Sequence, residues 1–256
     1  MTFGGRGSRW RHYVGRFLFD ISGEDRAVRL LPLAVVLVAC GGCGSSATPG
    51  IGFHDLNGDG KIVVLCFGDS ITQGDGDNQG QDSANPPGGF GGYPLRLQAM
   101  DLNVTFVNAG VDRERTSEGI NRLVPTIQQN NPDYVIIDEG INDLRDGQAD
   151  EALQRLQTMI ADVFRAGAMP LVGSLLPTCC GQTNLRPPDA IGNFNDSLKQ
   201  IAARDRVIVI DFHAAFTKDP YGPVDPNSGL IHVPEGLHPT PHGYDVMAAT
   251  VQSIFE

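Results

Sequence analysis

A chain of 256 residues, 41% hydrophobic and 19% charged, has room for one good-sized domain with a real core and does not have the composition of a disordered protein. The formal net charge is −11. Six of the 19 basic residues but only three of the 30 acids precede position 40, so the remainder holds 13 basic against 27 acidic residues, a balance of −14. So acidic a body repels phosphate backbones and anionic headgroups, which argues against nucleic acid as a partner and against an electrostatic hold on lipid.

The chain opens on a targeting segment. Residues 1–29 are Arg- and Gly-rich without clear periodicity, and Leu30 to Ala39 are ten consecutive apolar residues. Ten is too few to span a bilayer and suits the apolar region of a signal peptide. The run ends in Leu37-Val38-Ala39-Cys40-Gly41-Gly42, which resembles the bacterial lipoprotein signal, whose first mature residue is a lipid-modified cysteine. The resemblance implies a signal over residues 1–39, lipidation at Cys40 and an exported, membrane-anchored protein, periplasmic or at the cell surface. The alternatives are a plain secretory signal cut near Ala47, giving a secreted protein, or a buried core strand. The stretch before the apolar run is long and carries Asp20, Glu24 and Asp25, which points to a start further along, at Val28. Residues 40–58 then read as the lipidated cysteine and a flexible tether rich in Gly, Ser, Thr and Pro, with the folded body over 59–256.

Residues 55–62 match the first eight positions of a calcium loop, but the twelfth position is Cys66 and the run enters a strand. The expectation is an Asx turn, and no metal. Next comes Ile62-Val63-Val64-Leu65-Cys66-Phe67, a buried strand that delivers Gly68-Asp69-Ser70 to a tight turn. A serine there is either a nucleophile or an ordinary helix N-cap. Residues 73–92 are a long Gly-, Asp- and Pro-rich loop. Further strands are predicted over 104–108, 134–138, 169–174 and 207–211. Helices are predicted over 92–101, 117–130, 149–167, 190–204 and 241–255. In the helix from Ala149, the residues Leu153, Leu156, Ile160, Val163 and Phe164 share one face. Near-continuous apolar strands alternating with amphipathic helices imply a parallel sheet covered on both sides. Cys66 reads as a buried thiol, and Cys179 and Cys180 are neighbours in a loop, open to a strained vicinal bridge or to pairing with another chain. No cysteine or histidine spacing suggests zinc.

Four segments fall at strand ends or in the closing loop: Gly68-Asp69-Ser70, Val107-Asn108-Ala109-Gly110, Glu139-Gly140-Ile141-Asn142-Asp143 and Glu235-Gly236-Leu237-His238-Pro239. In a parallel sheet all four can meet at one edge. Their chemistry is complementary. Ser70 can supply a nucleophile, His238 a base of near-neutral pKa, and the N–H groups of Ser70 and Gly110 with the Asn142 amide can supply three oxyanion donors. There is no GxSxG elbow and no nucleotide cradle.

These segments resemble those of the SGNH hydrolases, the GDSL-type lipases and esterases, from about Ile62 to the carboxyl end. The resemblance implies a three-layer α/β/α sandwich with a flavodoxin-like parallel five-stranded sheet. It implies a serine esterase without cofactor, acting on a small-molecule ester. The look is that of the lysophospholipase and arylesterase branch, with small acyl esters or lysophospholipids as substrates and carbohydrate O-acetyl esters as the second choice. A binding lipoprotein on a catalytically dead scaffold is the rival. The family places Asp three residues before the histidine, and here Glu235 stands there; its longer side chain must fold back to reach the ring, with Asp225 or a backbone carbonyl as substitutes. Asp69, Asp143 and Asn108 read as turn, cap and structural residues, and His232 and His242 as surface or supporting histidines. His54 and His213 carry no signal. Specificity is expected in residues 73–92 and 176–190.

Overall fold

The computed structural model describes residues 50–77 and 91–256. The expected signal segment, Cys40 and Cys43 lie outside the described residues, as does most of the loop expected over 73–92.

Strands β1 (Val63–Gly68), β2 (Thr105–Gly110), β3 (Tyr134–Asp138), β4 (Met169–Gly173) and β5 (Ile208–Ile210) form one parallel sheet in the order β2-β1-β3-β4-β5. This is the flavodoxin-like order. Its switch point lies between β1 and β3, where the chain turns from building leftwards to building rightwards, and ligands bind at the carboxyl ends of strands there. The central strands are buried on both faces, with Val64, Leu65, Cys66, Phe67, Val135 and Ile136 fully inaccessible. That burial is why they read as continuous apolar runs rather than as alternating ones.

The helices are α1 (Ser70–Gln73), α2 (Gly92–Met100), α3 (Thr116–Asn130), α4 (Ile141–Arg145), α5 (Ala149–Arg165), α6 (Pro188–Asp205), α7 (Phe212–Phe216) and α8 (Pro241–Phe255), with a 3₁₀ turn at Cys180–Asn184. Helix α2 serves the leftward crossover, whereas α3, α5 and α6 serve rightward ones. Right-handed crossovers therefore put them on opposite faces of the sheet. The contacts agree: α3 packs on α5 and α5 on α6, while α2 packs on α8, which also meets α7. The result is the expected three-layer sandwich.

Two expectations are corrected. The buried stripe of α5 runs through Ala152, Leu156, Met159, Ile160 and Val163, while Leu153 is only half-buried and Phe164 is 48% exposed. Phe164 sits about 100° round the helix from Val163, so it turns out toward water. The flexible tether expected over 40–58 ends earlier. Ile51 and Gly52 donate to the carbonyls of Ile254 and Phe255, and Phe53 stacks on Phe255 and meets Phe106 and Tyr134 edge-on. Asp133, buried at the foot of β3, accepts from the N–H groups of Leu56, Asn57 and Val63. From Ile51 the chain already belongs to the body. Residues 55–62 form the expected Asx turn: the carboxylate of Asp55 accepts from the N–H groups of Gly58, Asp59 and Gly60.

Candidate active site

Gly68 ends β1 and lets the next turn press against β3: a Cβ there would lie 2.2 Å from Thr72 Oγ1 and 2.5 Å from the Asp138 carbonyl. Asp69 caps α1, its Oδ1 accepting from Ile71 N–H at 2.9 Å. Ser70 is thus the first residue of a one-turn helix, buried to 3% exposure. No described residue accepts from its N–H.

His238 arrives from the loop before α8. Its Nε2 lies 2.9 Å from Ser70 Oγ, across 168 residues of sequence. Its Nδ1 lies 3.2 Å from Glu235 Oε1, while Glu235 Oε2 accepts from the N–H groups of Leu237 and His238 at 2.8 Å each. The longer glutamate does fold back, and the two backbone donors fix it there. Burial opposes ionisation of Glu235, but the hydrogen bonds and charge of His238 outweigh it and bring its pKa down to about 2. Burial also opposes charging of His238. The hydrogen bond and charge of Glu235, with the charges of Asp75 and Asp69, outweigh that too and raise the imidazole above its ordinary value. Asp225 takes no part; its Oδ1 accepts from Asn227. His232 accompanies the site, with Nε2 2.7 Å from the Gly76 carbonyl, tying the turn after α1 to the base loop. His242 is exposed on α8.

Asn142 comes from the start of α4. Gly140, at φ 123°, makes the turn into that helix, and a Cβ on it would meet the Phe194 ring at 2.8 Å. The Asn142 amide donates to the Glu114 carbonyl at 3.0 Å and, at a long 3.4 Å, to Asp69 Oδ2. Its Oδ1 accepts from Arg186 Nη2 at 3.1 Å. Asp143 is structural, accepting from the N–H and hydroxyl of Thr116.

Gly110 does not join these groups. Its N–H donates to Asn108 Oδ1 at 2.9 Å, and it lines a separate hollow of about 270 Å³ between β2 and α3. Its lack of a side chain serves another end: a Cβ there would come within 2.1 Å of Gln73 N, so glycine admits the backbone of α1. Three residues on, Arg113 stands in the left-handed region at φ 59°, and no described residue accepts from its N–H. Arg113 lines a cavity of about 170 Å³ together with Ser70, Asn142 and His238, closed further by Asp75, Asp112, Arg145, Gln182, Leu185, Arg186 and Leu237. Sequence reasoning missed Arg113, because nothing in an arginine announces a positive φ. It missed Arg186 too, although that residue lies in the 176–190 segment expected to shape specificity.

What this edge can do is nucleophilic acyl transfer: a hydroxyl hydrogen-bonded to an imidazole that a carboxylate orients, with amide donors alongside. The comparisons point the same way. A model of the GDSL-like Lipase/Acylhydrolase family matches residues 66–246. Among solved structures, a lipolytic protein of the G-D-S-L family from Veillonella parvula is 23% identical, covering 76% of this chain and 98% of its own, with a TM-score of 0.61. A lipase/acylhydrolase from Enterococcus faecalis is 24% identical over 74% of this chain and 93% of its own, at 0.60. An acetyl xylan esterase from Geobacillus stearothermophilus is 22% identical over 75% and 94%, at 0.58. No curated protein matches.

Proposed function

The chain belongs to the GDSL-like Lipase/Acylhydrolase family and is a carboxylic ester hydrolase, and we propose that it works as a serine esterase through an acyl-enzyme on Ser70. The observation that carries this is the continuous run of short contacts from Ser70 Oγ through His238 to Glu235. Ser70 Oγ attacks the ester carbonyl carbon while His238 Nε2 takes its proton. Glu235 holds the Nδ1 proton and stabilises the imidazolium. The carbonyl oxygen, now negative, is met by Ser70 N–H and the Asn142 amide, whose weak bond to Asp69 is the one it gives up. Arg113 N–H takes the place first expected for Gly110 as third donor. The intermediate collapses, His238 gives its proton to the leaving alcohol, and the acyl group stays on Ser70. Water, deprotonated by His238, then releases the acid.

The small cavity, with its arginine and aspartate lining, favours short acyl groups over the long chain of a lysophospholipid. A carbohydrate O-acetyl ester is the second reading, favoured by the same cavity and by the acetyl xylan esterase among the similar structures. A panel of p-nitrophenyl esters graded by acyl length, run beside acetylated xylo-oligosaccharides, separates them. Turnover should be fastest with acetate or propionate, and Ser70→Ala should lose at least ~10³-fold. Undiminished turnover by that variant would end the proposal.

We also propose that Cys40 is lipidated and anchors the body to a membrane. Metabolic labelling with a fatty-acid analogue should mark the wild type and not Cys40→Ala; equal labelling of both contradicts it.

A further inference from the structure

We propose that Cys179 and Cys180 are a reversible modification site, a vicinal dithiol that closes to a disulfide by exchange with a small-molecule disulfide and thereby displaces the turn carrying Glu235. Their Sγ atoms lie 2.9 Å apart at the start of the 3₁₀ turn. Cys180 is exposed, with its backbone in the left-handed region at φ 58°, while Cys179 is buried. The asymmetry divides the work. Cys180, deprotonated, attacks one sulfur of R–S–S–R; that bond breaks and the first thiolate leaves with the proton. Cys179 Sγ then attacks Cys180 Sγ and expels the second thiolate, which takes the Cys179 proton. One disulfide is reduced to two thiols, and the two cysteines together lose two hydrogens. Adjacent Cα atoms stand about 3.8 Å apart, short of the usual disulfide span of about 4.4–6.8 Å, so the ring is strained and thiols reopen it readily.

The pair sits where the two halves of the active site are joined. Cys179 N–H donates to the Gly236 carbonyl at 3.0 Å. Gly236 lies so close that a Cβ on it would come within 2.2 Å of the Cys179 carbonyl oxygen and 3.2 Å of Cys180 Cβ. Gly236 lies between Glu235 and Leu237, whose N–H holds the Glu235 carboxylate. On the other side, Gln182 of the same 3₁₀ turn accepts from Arg186 Nη1 at 2.5 Å, and Arg186 holds Asn142. Closing the ring draws the two sulfurs from 2.9 Å to about 2.05 Å and strains the peptide between the cysteines, whose carbonyl oxygen is the contact surface of Gly236. The shift is passed to Glu235 and so to His238.

The ring itself needs nothing from the esterase reading; its effect on turnover rests on that reading. The test treats the full chain with 2,2′-dithiodipyridine and follows three readouts. Peptide mass spectrometry should show the 179–180 peptide lighter by two hydrogens and free of pyridyl groups. NMR should show the His238 imidazole pKa falling as Glu235 leaves it. Ester turnover should drop roughly 10–100-fold in kcat, as a misplacement of about 1 Å does, and dithiothreitol should restore it. Cys180→Ser, altered only at an exposed position, should keep its turnover through the same treatment and form no ring. Separate pyridyl adducts on the two cysteines, a crosslink between chains, or a ring that leaves both the His238 pKa and turnover unchanged would each overturn the proposal. A ring with a shifted His238 pKa in a protein that hydrolyses no ester would uphold it and refute the esterase reading instead.

Discussion

Glu235 departs from the family pattern by one methylene, and the structure shows what absorbs it. One carboxylate oxygen takes two backbone N–H groups, which leaves the other aimed at His238 Nδ1. Glu235→Gln removes the charge and the acceptor that raise the His238 pKa, so the imidazole titrates lower. The base must be neutral to accept the serine proton, so kcat/KM of the wild type rises with pH through the raised pKa. In the variant the acid limb moves to lower pH. At its plateau the variant should lose roughly 10²–10⁴ in kcat, because the ring is no longer held in the working tautomer. A pH–rate profile of both proteins checks this; an unmoved acid limb contradicts it. Glu235 was legible because position 235 precedes the histidine by three, within one turn's reach. Gly110 was misread because a glycine at a strand end can be there to donate or to make room, and sequence does not separate the two.

At the scale of elements, Gly110 tests that distinction. Gly110→Ala keeps the N–H but drives a methyl into the backbone of α1, 2.1 Å from Gln73 N. Overpacking of this kind costs about 1–3 kcal/mol. A lowered midpoint in urea, with the slope unchanged, is the expected result, and wild-type stability would contradict the spacing role. The long elements were legible: α8 spans the expected 241–255, and β3 the expected 134–138. The short ones were not. Helices α1, α4 and α7 have four or five residues, too few for a 3.6-residue period to show. Their starts depend on local devices, namely the caps Asp69 and Asp211 and the positive φ of Gly140. Two of these three helices carry Ser70 and Asn142, so the site rests on the elements that sequence periodicity reveals least.

At the scale of the molecule, the switch point between β1 and β3 gathers chemistry from both halves of the chain and gathers buried carboxyls with it. Burial raises the Asp138 pKa to about 7, and burial with neighbouring charge raises Asp69 and Glu139 well above the ordinary range. A carboxyl whose pKa is higher folded than unfolded holds its proton in the folded state, so stability falls as pH rises between the two values. Asp138→Asn removes one such group, which contributes at most about 1.4 kcal/mol per pH unit. Between pH 5 and 7 the wild type should lose more unfolding free energy than this variant; parallel profiles would contradict the assignment. The parallel sheet, its helix layers and the convergence of distant motifs were legible from apolar runs and motif order, whereas the part that Arg113 and Arg186 play in lining the cavity was not. Catalysis through Ser70 is tested most directly by fluorophosphonate labelling of the folded protein with the adduct mapped by mass spectrometry. One adduct per chain is expected, on Ser70, and none on Ser70→Ala. An unlabelled wild type, or an adduct that persists in that variant, would contradict it.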